Sequence, residues 1–182
     1  MPTSYVDEIV ARFYLLKGYF ISQGVWFMLG KKKGNKQGNW TDIDILAINH
    51  EELLIIQCKS FLGTGKAEKV YEDIKKWFAD AMNFLEKDWL QNYIKSEKFK
   101  IRKILIADWF TPKIRKIIEE DKFIEFLSFN SILSDLMEII KTNVEAHDEK
   151  NRIGKTEDIL IRVLEQLIRK DKMEKINNRN RK

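Results

Sequence analysis

An acid, an amide and an amine stand in two apolar, strand-like runs of this chain. Asp44 lies in the first run, at residues 42–48, and Gln57 and Lys59 close the second, at residues 52–59. Mg²⁺ prefers oxygen ligands and keeps several waters, so one or two carboxylates are enough to anchor it. The cation polarises a phosphate and lowers the pKa of a bound water, while a lysine orients that water or stabilises transition-state charge. These residue types therefore indicate metal-assisted hydrolysis of a phosphodiester.

The spacing of these residues determines which of them share a face. Residues two apart in a strand point the same way, so Gln57 and Lys59 share a face and the Cys58 side chain points to the other, as a small apolar group. Asp42 shares the face of Asp44, and we interpret it as a surface residue near the start of its strand. If the two runs pair as a hairpin, Asp44 meets Gln57 and Lys59 near one end of the sheet.

The surrounding sequence predicts the elements that position these residues. Apolar residues at helical or alternating spacing, with Ser4 and Thr111-Pro112 as helix starts, define the segments. Helices are predicted at 4–17, 67–86, 131–142 and 156–173, strands at 19–29, 42–48, 52–59, 101–107 and 123–127, and a linker at 143–154. The order α-β-β-β-α-β, with further helices after it, predicts an α/β fold: a mixed central sheet with helices packed on its faces.

This motif and this order of elements resemble the PD-(D/E)XK nuclease superfamily, which has the restriction-endonuclease-like αβββαβ core. The resemblance covers roughly residues 4–107 and rests on Asp44 followed, after a short hairpin, by Gln57-Cys58-Lys59. It is nearest to the archaeal Holliday-junction resolvases and the Mrr-like nucleases. It implies Mg²⁺ or Mn²⁺ as the cofactor, DNA as the partner and two active sites brought together in a homodimer.

The resemblance also implies a role for each residue at the site. Asp44 becomes the main metal ligand, Gln57 takes the place of the usual Glu or Asp, the backbone carbonyl of Cys58 is a further ligand, Lys59 serves the attacking water, and Glu8 completes the site from the first helix. An amide oxygen is a weaker ligand than a carboxylate, so Gln57 departs from the common pattern. Glu8 also has an ordinary alternative, an ion pair with Arg12 one helical turn later.

The charge distribution favours a polyanionic partner. The net charge is +5 and the pI is about 9.1, and basic residues cluster both before the first run and at the end of the chain. Phosphate contacts are predicted for Lys31, Lys32, Lys33, Lys36 and Lys66. Binding through phosphates implies steep salt dependence and a preference for DNA structure over sequence. The alternative is that the two clusters are a solvated loop and a solubilising tail.

Several other classes of function are excluded. One cysteine allows no internal disulfide framework or cysteine-based zinc site and fits a reducing, cytoplasmic location. The segment from Gly63 to Lys66 fails as a phosphate-binding P-loop, because Ser60 replaces its first glycine and Ala67 follows the lysine, so no nucleotide cofactor is expected. No apolar run reaches the roughly 18 residues of a membrane span, and the start lacks the features of a secretory signal.

The predicted organisation is a nuclease-like core at residues 1–128, a helical extension at 129–173 and a basic, disordered tail at 174–182. An apolar stripe in the last predicted helix either packs on the core or forms a dimer interface; it comprises Leu160, Val163, Leu164, Leu167 and Ile168. The function predicted first is a metal-dependent DNA endonuclease selective for branched or junction DNA. The alternatives are a non-cleaving DNA-binding module of the same fold, within a recombination or replication complex, and a protein-interaction domain without a nucleic-acid ligand.

Overall fold

A computed structural model describes residues 4–29, 40–63, 65–89 and 100–149, and positions 164 and 168. The chain divides into two compact units, Met1–Ile132 and Leu133–Lys182. The elements are α1 (Tyr5–Leu16), β1 (Phe20–Met28), β2 (Trp40–Ile48), β3 (Glu52–Leu62), α2 (Ala67–Phe84, with a π-helical turn at Leu85–Trp89), β4 (Lys100–Phe110), α3 (Pro112–Asp121), β5 (Glu125–Ser128) and α4 (Phe129–Glu149).

The five strands form one mixed sheet in the order β1-β2-β3-β4-β5. The pairs β1–β2 and β2–β3 are antiparallel, and the pairs β3–β4 and β4–β5 are parallel. Parallel neighbours need a crossover connection, which α2 supplies between β3 and β4. The predicted fold class is confirmed, because this α/β architecture is consistent with a restriction-endonuclease-like core. The last strand lies at the edge of the sheet, as predicted.

The hairpin of β2 and β3 is also confirmed, and it has a defined end. Pairing runs from Ile48↔Leu53 to Ile45↔Ile56. The side-chain carbonyl of Asn49 closes the turn by accepting from the backbone N–H groups of residues 51 and 52, at 2.8 and 2.9 Å. Beyond Ile45 and Ile56 no further residue pairs are formed between the two strands, so Asp44 and Cys58 lie just past the end of the ladder.

The two faces of the sheet hold different helices. Leu53, Ile55 and Leu105 belong to a buried cluster that includes Phe78 of α2 and Ile114 of α3. The alternate residues of β3 point to the opposite face. Helix α1 contacts β1, β2 and β3 and buries Val6, Val10, Ala11, Phe13 and Tyr14. Strand alternation therefore directs Cys58 away from the α2 cluster.

The N-terminus of α1 is fixed by reciprocal hydrogen bonds, and Ser4 is the N-cap as predicted. The Ser4 hydroxyl accepts from the backbone N–H of Asp7 at 3.2 Å, and the Asp7 carboxylate accepts from the backbone N–H of Ser4 at 2.9 Å. This capping box satisfies two helix-end donors and sets the orientation of the first turn. It therefore restrains the side chain of Asp7.

The C-terminal part of the sequence prediction needs one correction. Helix α4 continues to Glu149, so residues 143–149 are helical and are not part of a linker. The segment includes Ala and Glu, which favour helix, and has no glycine or proline to end it. Only Leu164 and Ile168 of the predicted last helix are described, and both are helical and half-buried. The tail at 174–182 lies outside the described residues, and the predicted domain division stays a prediction.

Within the described part of the chain, no helix combines the length and hydropathy needed to cross a bilayer.

Candidate metal centre

The Asp44 carboxylate lies where the β2–β3 ladder ends. Its Oδ2 accepts a hydrogen bond from the backbone N–H of Cys58 at 2.6 Å. A buried N–H needs an acceptor, and this side chain supplies one where no backbone pairing continues. The N–H and C=O of one strand residue point to the same side of the strand, so the Cys58 carbonyl also faces β2. This orientation fits the predicted role of that carbonyl.

Three side chains from three elements converge at this end of the sheet. Ligand atoms of Asp7 on α1, Asp44 on β2 and Cys58 on β3 all lie within 4.8 Å of one another. Cys58 is only 6% exposed. We had expected its thiol to face away from the site as a packing group. The structure differs, because the face to which Cys58 points is the one that α1 covers, and α1 brings Asp7 to it.

The acid that α1 contributes to this group is Asp7, and Glu8 lies outside it. Glu8 forms an ion pair with Arg12 at 3.7 Å, the alternative that the i,i+4 spacing offered. Asp7 stands three and four residues before the buried residues Val10 and Ala11, so it shares their side of the helix. That spacing was the signal in the sequence that would have identified Asp7.

The Asp7 carboxylate has acceptor positions that the capping hydrogen bond does not use. One of its oxygens, Oδ2, accepts from the Ser4 N–H, and a carboxylate oxygen of the same side chain lies within 4.8 Å of the Cys58 sulfur. An ionised carboxylate offers two oxygens with about four acceptor positions. Asp7 therefore keeps acceptor capacity for a cation while it closes the start of α1.

The two remaining residues of the motif are placed differently. The positive charge of Lys59 lowers the pKa of Asp44, as expected for an ammonium group near that carboxylate. Gln57 is 6% exposed, and its Oε1 has no hydrogen-bond partner among the described residues. Strand alternation turns Gln57 to the face opposite the Cys58 thiol. The charge of Lys59 thus acts on the Asp44 carboxylate. The ligand role of Gln57 stays a prediction.

Burial and crowding of negative groups perturb the titration of this centre. Burial raises the pKa of Asp44 to about 6, against the lowering effects of the Cys58 N–H and Lys59, and the charges of Asp7 and Asp42 raise it further. Burial, followed by the charges of Asp44 and Asp7, raises the pKa of the Cys58 thiol well above its ordinary value. A cation would offset both effects, because it supplies positive charge where water is excluded.

The donor set fits a divalent metal ion. Two carboxylates anchor such an ion, and the backbone carbonyl of Cys58 faces the same gap. Asp7 and Asp44 are the residues that would hold the metal.

Of the other predicted DNA contacts, only Lys66 is described. It is the exposed residue that precedes α2, and its side chain forms no capping hydrogen bond to that helix. Lys31, Lys32, Lys33 and Lys36 lie outside the described residues.

Comparisons with known proteins do not identify a family. No family model and no curated protein matches the chain. A crystal structure of AF1548, a protein of unknown function, is 19% identical with a TM-score of 0.41 over 69% of this chain and 59% of that one. The apo structure of EndoMS is 14% identical with a TM-score of 0.35 over 70% of this chain and 46% of that one. The chain thus spans less than two thirds of either protein.

Replacing each of the two neighbouring acids on α1 tests which one belongs to the centre. We expect Asp7→Asn to weaken Mn²⁺ binding by about 10-fold or more, because it removes one of two anchoring carboxylates. Glu8→Gln, the matched control one residue away, should change the affinity by less than about 2-fold, since an exposed ion pair contributes little. Isothermal titration calorimetry measures both. If Glu8→Gln weakens Mn²⁺ binding more than Asp7→Asn does, Glu8 is the metal ligand from α1.

The raised pKa of Asp44 predicts a pH-dependent cost to stability. Folding favours the protonated carboxyl, so the stabilising contribution is complete below pH 3.8 and is lost as the pH rises through about 6. In metal-free buffer, the free energy of unfolding of the wild type should fall by about 2 kcal/mol relative to Asp44→Asn between pH 4 and pH 7.5. Urea denaturation of both proteins across that range measures the difference. If the difference in the free energy of unfolding between the two proteins stays constant with pH, the pKa of Asp44 is not raised by burial and by neighbouring negative charges.

Proposed function

We propose that the protein is a metal-dependent DNA endonuclease that hydrolyses phosphodiester bonds. The observation that carries this proposal is the convergence of the Asp7 and Asp44 carboxylates at the end of the β2–β3 ladder, where the charge of Lys59 also acts on Asp44. Two acids and an amine at the end of a central hairpin are the groups that phosphodiester hydrolysis needs. The restriction-endonuclease-like order of elements around them supports the same assignment.

In this proposal Asp7 and Asp44 hold the cation, and the backbone carbonyl of Cys58 is a further protein ligand. Bound Mg²⁺ or Mn²⁺ would supply a Lewis acid for the phosphate and a water of lowered pKa. Asp7 replaces Glu8 as the acid from the first helix. The other tasks, placing the phosphate and guiding the nucleophile, fall to side chains of the chain itself.

Lys59 is the group that acts on the reacting atoms. Its positive charge lowers the pKa of the Asp44 carboxyl, and in this proposal the ammonium reaches the scissile phosphate from β3. There it orients the attacking water and stabilises the negative charge that develops on the phosphate oxygens. Asp44 itself is held by the Cys58 N–H.

DNA is the proposed substrate, and the phosphate backbone is its main point of contact. Lys66 is exposed at the start of α2, four residues after the end of β3, and can contact a phosphate near the centre. The segment with Lys31, Lys32, Lys33 and Lys36 precedes β2 in the chain and is proposed to add further contacts. Selectivity for branched DNA, with a homodimer placing two centres on one junction, is the finer form of this proposal.

An exposed aromatic pair on β3 and β4, two residues along β3 from Lys59, supports a substrate with unpaired bases. Phe61 and Trp109 are register partners on β3 and β4, 51% and 68% exposed, with ring centroids 6.4 Å apart and planes inclined by 25°. Phe61 follows Lys59 by two residues, roughly 7 Å along the strand. A phosphate at Lys59 would thus place a neighbouring base within reach of these rings. Bases stack on such surfaces only when they are unpaired or splayed out.

A non-cleaving DNA-binding module remains the second candidate, and Gln57 is the observation that favours it. An amide where the resembled motif has a carboxylate leaves β3 without an acid for the cation, which weakens the binding of a divalent ion. The two candidates share the fold and the DNA contacts, and they differ in whether bound metal leads to cleavage.

Cleavage assays separate the two candidates. With Mg²⁺ or Mn²⁺, we expect the wild type to cut branched DNA faster than linear DNA, and Asp44→Ala and Lys59→Ala to lose at least about 100-fold in rate. Asp73→Ala and Lys76→Ala, which change exposed residues of the same types on α2, serve as matched controls and should retain full activity. Wild-type protein that binds DNA but cuts none of these substrates with either metal would favour the binding module.

The aromatic pair gives a separate prediction about binding. We expect Trp109→Ala and Phe61→Ala to weaken single-stranded DNA binding by about 5-fold to 100-fold, because stacking contributes 1–3 kcal/mol per base. Phe20→Ala is the matched control. Phe20 is 78% exposed and pairs with Ile48, at the end of β2 that lies away from Asp44. Fluorescence anisotropy at constant salt, without a divalent metal, measures binding. Equal losses for all three variants, or losses equally large with duplex DNA, would argue against base stacking.

A further inference from the structure

The Cys58 thiol lies within the group of acids, in a position where it could bind the same ion. Its Sγ is within 4.8 Å of a carboxylate oxygen of Asp7 and of Asp44, and the residue is only 6% exposed. Two carboxylates and a sulfur atom therefore converge in a partly buried space, where a cation would offset their negative charge.

One cysteine cannot form the multi-cysteine zinc site that the sequence excludes, but a single sulfur beside two carboxylates still changes which ions the centre prefers. Carboxylate and carbonyl oxygens alone suit Mg²⁺, whereas a thiolate favours softer or borderline ions such as Zn²⁺ and Co²⁺. Zinc binds cysteine sulfur at about 2.3 Å and carboxylate oxygen at about 2.0–2.2 Å, which puts ligand atoms around one tetrahedral ion roughly 3.5 Å apart. The three donor atoms already lie within 4.8 Å of one another, so small side-chain adjustments would suffice.

We propose that Cys58 is a direct sulfur ligand of this centre and that it makes the centre bind Zn²⁺ and Co²⁺ more tightly than Mg²⁺. The inference rests on the cation site of the proposed nuclease and adds a ligand to it. As the sulfur–metal bond forms, the thiol proton passes to solvent. Zinc then competes with Mg²⁺ for Asp7 and Asp44, and its concentration would control how much of the protein carries the lighter ion.

The sequence allows a direct spectroscopic test. Cys58 is the single cysteine of the chain, so any cobalt–thiolate charge-transfer band has one possible source. The full-length protein is titrated with Co²⁺ in a thiol-free reductant and followed by absorption, with calorimetry for Co²⁺, Zn²⁺ and Mg²⁺. We expect a charge-transfer band in the wild type that saturates at one equivalent and weakens when Asp44→Asn lowers the affinity.

Cys58→Ser supplies the matched comparison. It should abolish the charge-transfer band and lower the ratio of Zn²⁺ to Mg²⁺ affinity by about 10-fold or more. If the variant does not fold, the wild-type spectrum still decides, because no other residue can give the band.

The failures of the two proposals are distinguishable. Stoichiometric Co²⁺ binding without a charge-transfer band would overturn the sulfur ligand and leave the nuclease proposal standing. A band that persists unchanged in Asp44→Asn would place the sulfur–metal contact outside this centre and would also overturn the inference. If calorimetry detects no binding of Co²⁺, Zn²⁺ or Mg²⁺, both the sulfur ligand and the cation site fail.

Discussion

The hydrogen bond from the Cys58 backbone N–H to the Asp44 carboxylate is the interaction on which the centre depends. It forms where β2 and β3 stop pairing, beyond Ile45 and Ile56. Continued pairing would have used backbone groups of both strands and left no gap between them. The Asp44 side chain accepts the hydrogen bond in place of a backbone carbonyl, so its carboxylate lies next to that gap. The ladder thus ends on a charged group that is available to a ligand.

Helix α1 adds the second acid through its own terminus. Asp7 closes the capping box with Ser4, which fixes the first turn, and the same carboxylate reaches Cys58 and Asp44. Burial raises the pKa of Asp44, and the nearby charge of Asp7 raises it further, so the ionised carboxylate is held at a cost. A bound cation would offset that cost. The arrangement therefore fits the metal site proposed above.

Much of this arrangement was predictable from the sequence, because it follows from local periodicity. Alternation and turn residues indicate the β2–β3 hairpin, and Ser4 and Thr111 indicate the helix starts at which the structure finds them. The positions of Asp44 and Lys59 follow from the strand pattern. These features depend on residues close in sequence, where spacing and direction are strictly linked.

The residues that were missed depend on tertiary packing. Whether Asp7 or Glu8 faces the sheet is set by the rotation of α1 about its axis, and adjacent residues differ there by about 100°. The thiol of Cys58 joins the acids only because α1 covers that face of the sheet. The amide of Gln57 takes the opposite face by alternation, so the motif Gln57-Cys58-Lys59 places its members on two sides of one strand.

The central claim is that Asp7 and Asp44 hold one divalent cation between them. A crystal structure of the protein grown with Mn²⁺ tests this most directly, because the anomalous scattering of manganese locates the ion without reference to the refined side chains. We predict one strong anomalous peak within bonding distance, about 2.2 Å, of a carboxylate oxygen of each residue. Well-ordered Asp7 and Asp44 side chains with no peak between them, or with a peak bound elsewhere, would contradict it.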